Sequence, residues 1–266
     1  RGALGGAVRS GATWAFQRVE LPPVPFTAPR TVFNAPVPQE RAWDCARLDL
    51  DRIKAVREAT GATVNDVVLA VVAGALRAYL DERDELPEEP LVAMVPISVR
   101  SGAQRTSMGN QVSAMLVSLA TDLDDPEARL RTVRQSADDS KVYHQAVGAR
   151  ALTDASGYIP FSVAGAASRL YSRMHLAEKH RPIFNLVITN VPGPQVPLYV
   201  AGARLQAHAG VAPIFDGIGL IVPVFSYCGR LAISFCSAPG LIDDIARLAS
   251  LVETSLEELE TSLEIR

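Results

Sequence analysis

Cysteine is scarce in this 266-residue chain: Cys45, Cys228 and Cys236 cannot all pair with one another, and none belongs to a Cys-x-x-Cys spacing. That argues against a disulfide framework or a zinc ribbon and makes a reducing compartment the simplest reading. A basic excess is also lacking, with 26 Lys plus Arg against 29 Asp plus Glu and a net charge of -3. Phosphate-backbone recognition concentrates positive charge far beyond that balance, so a nucleic-acid partner is not expected. Long apolar runs are missing as well. Val67 to Leu76 stops at Arg77, and Pro213, Asp216 and Pro223 interrupt the apolar stretch from Val211 to Tyr227, whereas a membrane-spanning helix needs about 20 apolar residues. No apolar segment with a small-residue cleavage site follows Arg1, so a secretory signal is not evident. Because Arg1 is not Met, the chain is expected to continue a longer gene product. A Gly-x-Ser-x-Gly elbow and a P-loop are absent, and Gly217-x-Gly219 lacks the third glycine and enters a strand instead of a helix.

What is present is ordinary globular patterning, 48% hydrophobic and 21% charged, enough for a packed core. Residues 1–40 read as a connector: glycines weaken a short helix at Ala3 to Val19, and Pro22, Pro23, Pro25, Pro29, Pro36 and Pro38 deny backbone donors to a helix or central strand. Residues 41–266 read as one lobe, with globular patterning from Trp43 onward. Asp49 or Asp51 can cap a helix that carries Ile53 and Val56 and stops at Gly61. Thr63 and Asp66 have the spacing of a capping box, ahead of a nearly continuous apolar run to Leu80 that predicts a buried helix. Strands are predicted at Leu91–Ser98 and Gln111–Ala120. Asp125-Pro126 then opens a helix to Val142, and Pro160 another to Leu176. Phe184–Val191, Leu198–Val200, Arg204–Ala209 and Gly217–Tyr227 read as strands, Leu231–Ser237 completes a hairpin around Cys228-Gly229, and a helix from Asp243 to Glu260 closes the chain. Strands and helices mixed in this order predict an α/β layer structure.

Few residues announce chemistry. His144, His175, His180 and His208 stand apart from partners in sequence; surface or satisfied core positions are the simpler reading, and a base assembled by folding stays open. Asn65-Asp66 fits a helix start, where short polar side chains meet unpaired backbone donors. Alternatively, Asp66 orients a loop or a catalytic group across an interface. Asn190-Val191-Pro192-Gly193-Pro194 directly follows a strand. It is either a plain strand terminator or a rigid loop that walls a channel and offers backbone groups to a ligand. Asp216-Gly217 poses a similar choice between a turn and a brace for a pocket.

Taken in order, these phrases resemble the C-terminal half of the bacterial wax ester synthase/diacylglycerol acyltransferase family, in the style of mycobacterial triacylglycerol synthases. The resemblance rests on Thr31-Val32-Phe33-Asn34-Ala35-Pro36 with Arg41, Asn65-Asp66, Pro96-Ile97-Ser98-Val99-Arg100, Gly109-Asn110 and Asn190 to Pro194, and extends to the last helix. It implies a mixed sheet layered with helices, the C-terminal lobe of a CoA-dependent acyltransferase fold like those of chloramphenicol acetyltransferase and condensation domains. The family's His-His-x-x-x-Asp-Gly motif does not occur here: His208 is followed by alanine, and Asp216-Gly217 lies too far downstream to complete it. The resemblance therefore places the base histidine in a preceding lobe and leaves this chain inert alone. It implies acyl-CoA as substrate with no separate cofactor and no metal, and diacylglycerol or a long-chain alcohol as acceptor. The preceding lobe is the expected protein partner. A cytoplasmic location, peripheral to the inner membrane or lipid droplets, is expected. Asn65, Asp66, Asn190, Pro192, Gly193, Asp216 and Gly217 are the substrate-tunnel candidates. Other readings left open are a non-catalytic lipid or acyl-CoA binding module and a condensation-type or polyketide-associated acyltransferase.

Overall fold

A computed structural model describes residues 23–98, 112–147, 174 and 180–265. The helix at Ala3 to Val19, Val99-Arg100, Gly109-Asn110, the helix from Pro160 and His175 lie outside the described residues, as does the side chain of His144. Strands β1 (Ala42–Asp49), β2 (Val92–Ser98), β3 (Val112–Ser118), β4 (Leu186–Val191), β7 (Ile221–Tyr227) and β8 (Arg230–Ser237) form a sheet in the order β1-β8-β7-β4-β2-β3. β2, β4 and β7 run parallel, while β3, β8 and β1 pair antiparallel with their neighbours. The expected mixed sheet is thus realised. The two-residue strands β5 (Tyr199–Val200) and β6 (Ala203–Arg204) form a separate hairpin.

Helices α1 (Leu50–Thr60), α2 (Val64–Asp81), α3 (Pro126–Val147) and α4 (Ile245–Ser262) complete the elements. Their ends follow local rules. Asp49 caps α1 by accepting from the Asp51 N–H, and Gly61 ends it at φ 67°, a left-handed conformation that glycine adopts without a Cβ penalty. Thr63 and Asp66 exchange both bonds of the capping box, 3.2 Å from Asp66 N to Thr63 Oγ1 and 2.9 Å from Thr63 N to Asp66 Oδ2. Val67, Val68, Leu69, Val71, Val72 and Leu76 of α2 are fully buried. This helix forms the middle of the core, against α4, α3 and α1. Gly74 makes the crossing close: a Cβ there would collide with the Ser255 hydroxyl and lie 3.4 Å from the Arg129 guanidinium carbon.

Alternation across each strand sorts two cores. Ala93, Val95, Leu186, Ile188, Val222, Val224, Ile233 and Phe235 face the helices. On the opposite face, near the N-terminal ends of β4 and β7, Val187, Ile221 and Cys236 pack with Ile214, Leu241 and Val37. The chain before β1 joins this assembly through Phe33 and Asn34, both buried, in a short 3-10 turn. Asn34 Nδ2 donates to the carbonyls of Asn185 and Gly217, each at 3.0 Å. Asn185 Nδ2 in turn donates to Pro29 O at 2.6 Å and Asn34 Oδ1 at 2.9 Å, and its own Oδ1 accepts from Val92 N at 2.9 Å. Such reciprocal pairing makes burial of two amides tolerable.

β1 is the element that sequence patterning does not reveal. Asp44, Arg47 and Asp49 interrupt its apolar residues, and as an edge strand it is only half-buried along most of its length. Its partner β8 lies about 190 residues later in the chain. α3 continues to Val147, beyond the expected stop at Val142, and the strands expected at Leu198–Val200 and Arg204–Ala209 shrink to β5 and β6.

Candidate functional site

The parallel strands β2, β4 and β7 end at one edge of the sheet, beside the N-terminus of α2. Open α/β sheets commonly bind ligands outside the carboxyl ends of their strands, and two of the sequence candidates meet here. Asn190 belongs to the helix-facing row of β4, which also holds Leu186 and Ile188. Its Nδ2 donates a long bond, 3.4 Å, to Asn65 Oδ1 in the first turn of α2. Both amides are half-buried, so each retains polar capacity toward solvent or a ligand. Next to Asn65, Asp66 is buried, and its Oδ1 has no hydrogen-bond partner. A buried acceptor without a donor costs about 1 to 3 kcal/mol.

Beyond Asn190, close backbone packing fixes the loop. A Cβ on Gly193 would collide with the carbonyl oxygen of Ser226 in β7 and lie 3.3 Å from its carbonyl carbon. Gly193 N instead donates to Ser226 Oγ at 3.1 Å. Cys228 N donates to Pro194 O at 3.3 Å, and Gly229 N to Gln195 Oε1 at 2.9 Å. The loop is therefore laced to the β7–β8 turn, where Cys228 at φ 46° and Gly229 at φ 77° form the expected two-residue connection. Pro192, between Asn190 and Gly193, is exposed.

Asp216 and Gly217 are not part of this cluster. They precede β7 and so lie at the opposite edge of the sheet, about 20 Å away along β4 and β7 at 3.3 Å per residue. Asp216 Oδ1 accepts from Val37 N at 2.8 Å, Gly217 turns at φ 81°, and Gly217 N donates to Ala35 O at 3.1 Å. These bonds make Asp216 a brace for the chain before β1. With Phe26, Asn34, His180 and Phe184, the pair lines a separate cavity of about 350 Å³. The His180 ring meets Phe26 edge-on at 5.4 Å, and His208 packs on Phe225 at 4.8 Å. Neither imidazole belongs to the Asn65–Asn190 cluster. Burial pushes the Cys45 and Cys236 thiols up, which disfavours the thiolate a cysteine nucleophile requires. The cluster offers orientation and hydrogen bonding from two amides and one carboxylate, Asp66, with no histidine beside them among the described residues.

Sequence reasoning missed Asn185, because an asparagine ahead of a strand carries no signal of its 151-residue reach to Asn34. It also missed the hairpin's surface: Val196, Leu198, Tyr199 and Val200 are exposed on or beside β5. The hairpin is nevertheless anchored, since Tyr227 Oη accepts from Leu198 N at 2.8 Å and donates to Leu205 O at 3.0 Å.

Comparison with known proteins adds a lineage to this geometry. The WS/DGAT C-terminal domain matches residues 108–260, and the wax ester synthase/diacylglycerol acyltransferase catalytic domain matches residues 3–68. A Mycobacterium tuberculosis protein named "Probable diacyglycerol O-acyltransferase tgs2" is 39% identical over 244 residues, which make up 91% of this chain and 52% of that protein. The chain thus spans about half the length of the curated relatives it matches. The solved wax ester synthase/diacylglycerol acyltransferase of Marinobacter aquaeolei VT8 superposes with a TM-score of 0.70 at 30% identity, over 90% of this chain and 53% of that one. The epimerization domain of tyrocidine synthetase B, at 13% identity and a TM-score of 0.51, shares the fold alone, over 90% of this chain and 51% of that one.

Proposed function

Because the chain belongs to the wax ester synthase/diacylglycerol acyltransferase family, we propose that it forms the second lobe of an acyl-CoA-dependent O-acyltransferase. The acceptor is diacylglycerol or a long-chain alcohol, and acyl-CoA is substrate, with no separate cofactor. The observation that carries this reading is the meeting of Asn65 and Asn190 at the sheet edge, beside the unpartnered Asp66 oxygen. It is a polar wall suited to positioning a thioester, and the base histidine of the reading lies elsewhere.

In the proposed reaction the acceptor hydroxyl attacks the thioester carbonyl while a histidine of a preceding lobe takes its proton. The tetrahedral intermediate then expels the CoA thiolate, which recovers that proton. Base assistance of this kind contributes about 10² to 10⁴ in rate. The amides of Asn65 and Asn190 orient the pantetheine arm and the carbonyl, and Gly193 holds the loop that carries Asn190's wall. Asp66 Oδ1 receives a donor from the facing lobe. The exposed apolar residues Val196, Leu198, Tyr199 and Val200 of the hairpin region suit contact with that lobe. We further place the whole protein in the cytoplasm, at lipid droplets or the inner membrane.

The test compares this chain alone with the full-length protein in transfer of palmitoyl or oleoyl groups from CoA to diacylglycerol and to hexadecanol. The expected result is turnover only by the full-length protein; robust turnover by the 266-residue chain would refute the assignment. In the full-length protein, Asn190→Ala and Asp66→Asn are expected to lower kcat/KM about 10-fold or more, with Asp66→Asn keeping the acceptor for Thr63 N. If Asp66→Asn leaves kinetics unchanged and Asp66→Ala lowers only stability, Asp66 is a helix cap and nothing more.

A further inference from the structure

The face of the sheet not covered by helices carries a second polar constellation near the same edge. Strand register puts Arg47, Ala232 and Phe225 in one row across β1, β8 and β7, and Asp49, Arg230 and Tyr227 in the next. Residues two apart on a strand share a face, so both rows look outward, away from α2. A strap of chain, residues 205–210, runs over them. Tyr227 Oη holds Leu205 O at 3.0 Å, Trp43 Nε1 donates to Gly210 O at 3.0 Å, and the His208 ring rests on Phe225. Gly210 allows the strap to lie flat, because a Cβ there would collide with the Phe225 ring and come within 2.7 Å of Pro223. Between strap and sheet is a cavity of about 250 Å³ bounded by Arg47, Gln206, His208, Tyr227 and Arg230, with the small side chain of Ala232 in its lining.

The charge of this cavity runs against that of the whole chain, which is net -3. It brings together two guanidinium groups, and the nearest carboxylate paired with either is Asp49, 3.8 Å from Arg230 Nη1 and beyond hydrogen-bond range. Guanidinium forks match phosphate oxygens bidentately, and an amide and an imidazole beside them add donors of the same use. We propose that this cavity binds the phosphorylated nucleotide end of the acyl donor, a site that rests on the acyl-CoA reading above. The route between the two sites is short. Tyr227 lies three residues along β7 from Val224, the register partner of Asn190, which is about 10 Å. The β7–β8 turn and the Gln195 loop tied to it form the rim between them. A flexible arm crossing that rim reaches the Asn65–Asn190 wall with its thioester while its phosphates stay with the arginines.

The experiment measures binding of adenosine 3′,5′-bisphosphate to the 266-residue chain by calorimetry, for the parent, the double variant Arg47→Gln/Arg230→Gln, and Ala232→Leu, which fills the cavity. Unfolding midpoints confirm that each variant folds; both arginines are exposed, so the double variant keeps its core. Saturable binding is expected, weakened about 10-fold per arginine removed, or about 1.4 kcal/mol each, and weakened also by Ala232→Leu. No binding by the parent, or equal affinity in the double variant, overturns the proposal. So does inorganic phosphate competing as well as the nucleotide, which marks a free-phosphate site. Loss of phosphatidylglycerol-vesicle binding with nucleotide binding intact marks a membrane surface and overturns it too. Palmitoyl-CoA kinetics of the full-length protein separate the two readings. Turnover with an unchanged KM in the double variant defeats the cavity assignment alone, whereas nucleotide binding without acyl transfer to any acceptor defeats the acyltransferase reading and leaves the cavity's ligand standing.

Discussion

Replacing Gly193 with alanine tests whether the loop after β4 is held by backbone contact or merely terminates a strand. Its φ is not left-handed, so alanine meets no conformational penalty there, and the whole effect must come from space. The added methyl collides with the Ser226 carbonyl oxygen, a main-chain atom of a central strand that cannot swing aside as a side chain would. Relief requires the loop to lift, which breaks the 3.1 Å bond from Gly193 N to Ser226 Oγ and loosens the tie from Cys228 N to Pro194 O. Overpacking of this kind costs about 1 to 3 kcal/mol and a lost hydrogen bond about 0.5 to 1.5, which together predict roughly 2 to 4 kcal/mol. At about 2 to 4 °C per kcal/mol for a chain near this size, Tm falls by several degrees, and the urea midpoint falls with it. Gly202→Ala serves as the contrast, since Gly202 has φ 83° and nothing within 4 Å of its added methyl; only backbone strain acts there. In the full-length protein, Gly193→Ala should also reduce kcat, because a displacement of about 1 Å at a positioning wall can cost 10²-fold. A Gly193→Ala chain with the parent's midpoint refutes the close-packing argument outright.

Two further outcomes follow from the helical layer. Gly74→Ala should destabilise the chain by about 1 to 3 kcal/mol although alanine is the better helix former, because its methyl meets Ser255. Adding Ser255→Ala should recover part of the loss in a double-mutant cycle of denaturant midpoints, and strict additivity would show that the α2–α4 crossing is not what Gly74 serves. At the other end of α2, the Arg247 guanidinium hydrogen-bonded to Glu82 holds that carboxyl below its ordinary range. A carboxyl lowered on folding stabilises above its unfolded value of about 4.3, and that contribution is lost as pH falls through the lowered folded value. Arg247→Gln should therefore make stability less steep with pH below about 4.3, measured as urea midpoints across the acid range, and an unchanged slope would remove the pair from the account of acid unfolding.

Local chemistry was the legible part of this sequence. The Asp49 cap, the Gly61 stop, the Thr63–Asp66 box and the Cys228-Gly229 turn each involve residues within a few positions of one another, where the backbone's own unpaired groups dictate the choice. The buried run of α2 was legible because continuous apolar residues leave no face for water. β1 was not, since its half-exposed residues are justified only by a partner strand near the far end of the chain. The Asn34–Asn185 weld and the diagonal placement of Arg47 and Arg230 on adjacent strands are illegible for the same reason: sequence order carries no record of which distant segments a sheet brings side by side.

That limit also explains why the candidate residues divided as they did. Asn65, Asp66, Asn190 and Gly193 share an edge because β2, β4 and β7 run in one direction and α2 begins where they end. Asp216 and Gly217 came from an equally distinctive phrase, yet they precede a parallel strand where Asn190 ends one, and direction alone sends them to the other side of the sheet. Their bonds to Val37 and Ala35 then give them a different task, fixing the incoming chain against β7. Motifs of equal sequence distinctness therefore separate to opposite edges of the sheet by strand polarity. A wall built on the strand-end side must remain incompletely satisfied if it is to accept a ligand or a facing lobe, and the Asp66 oxygen without a donor is where that incompleteness is visible. The Asn34–Asn185 pair, with each of its side-chain polar atoms bonded, instead holds the chain before β1 to the sheet.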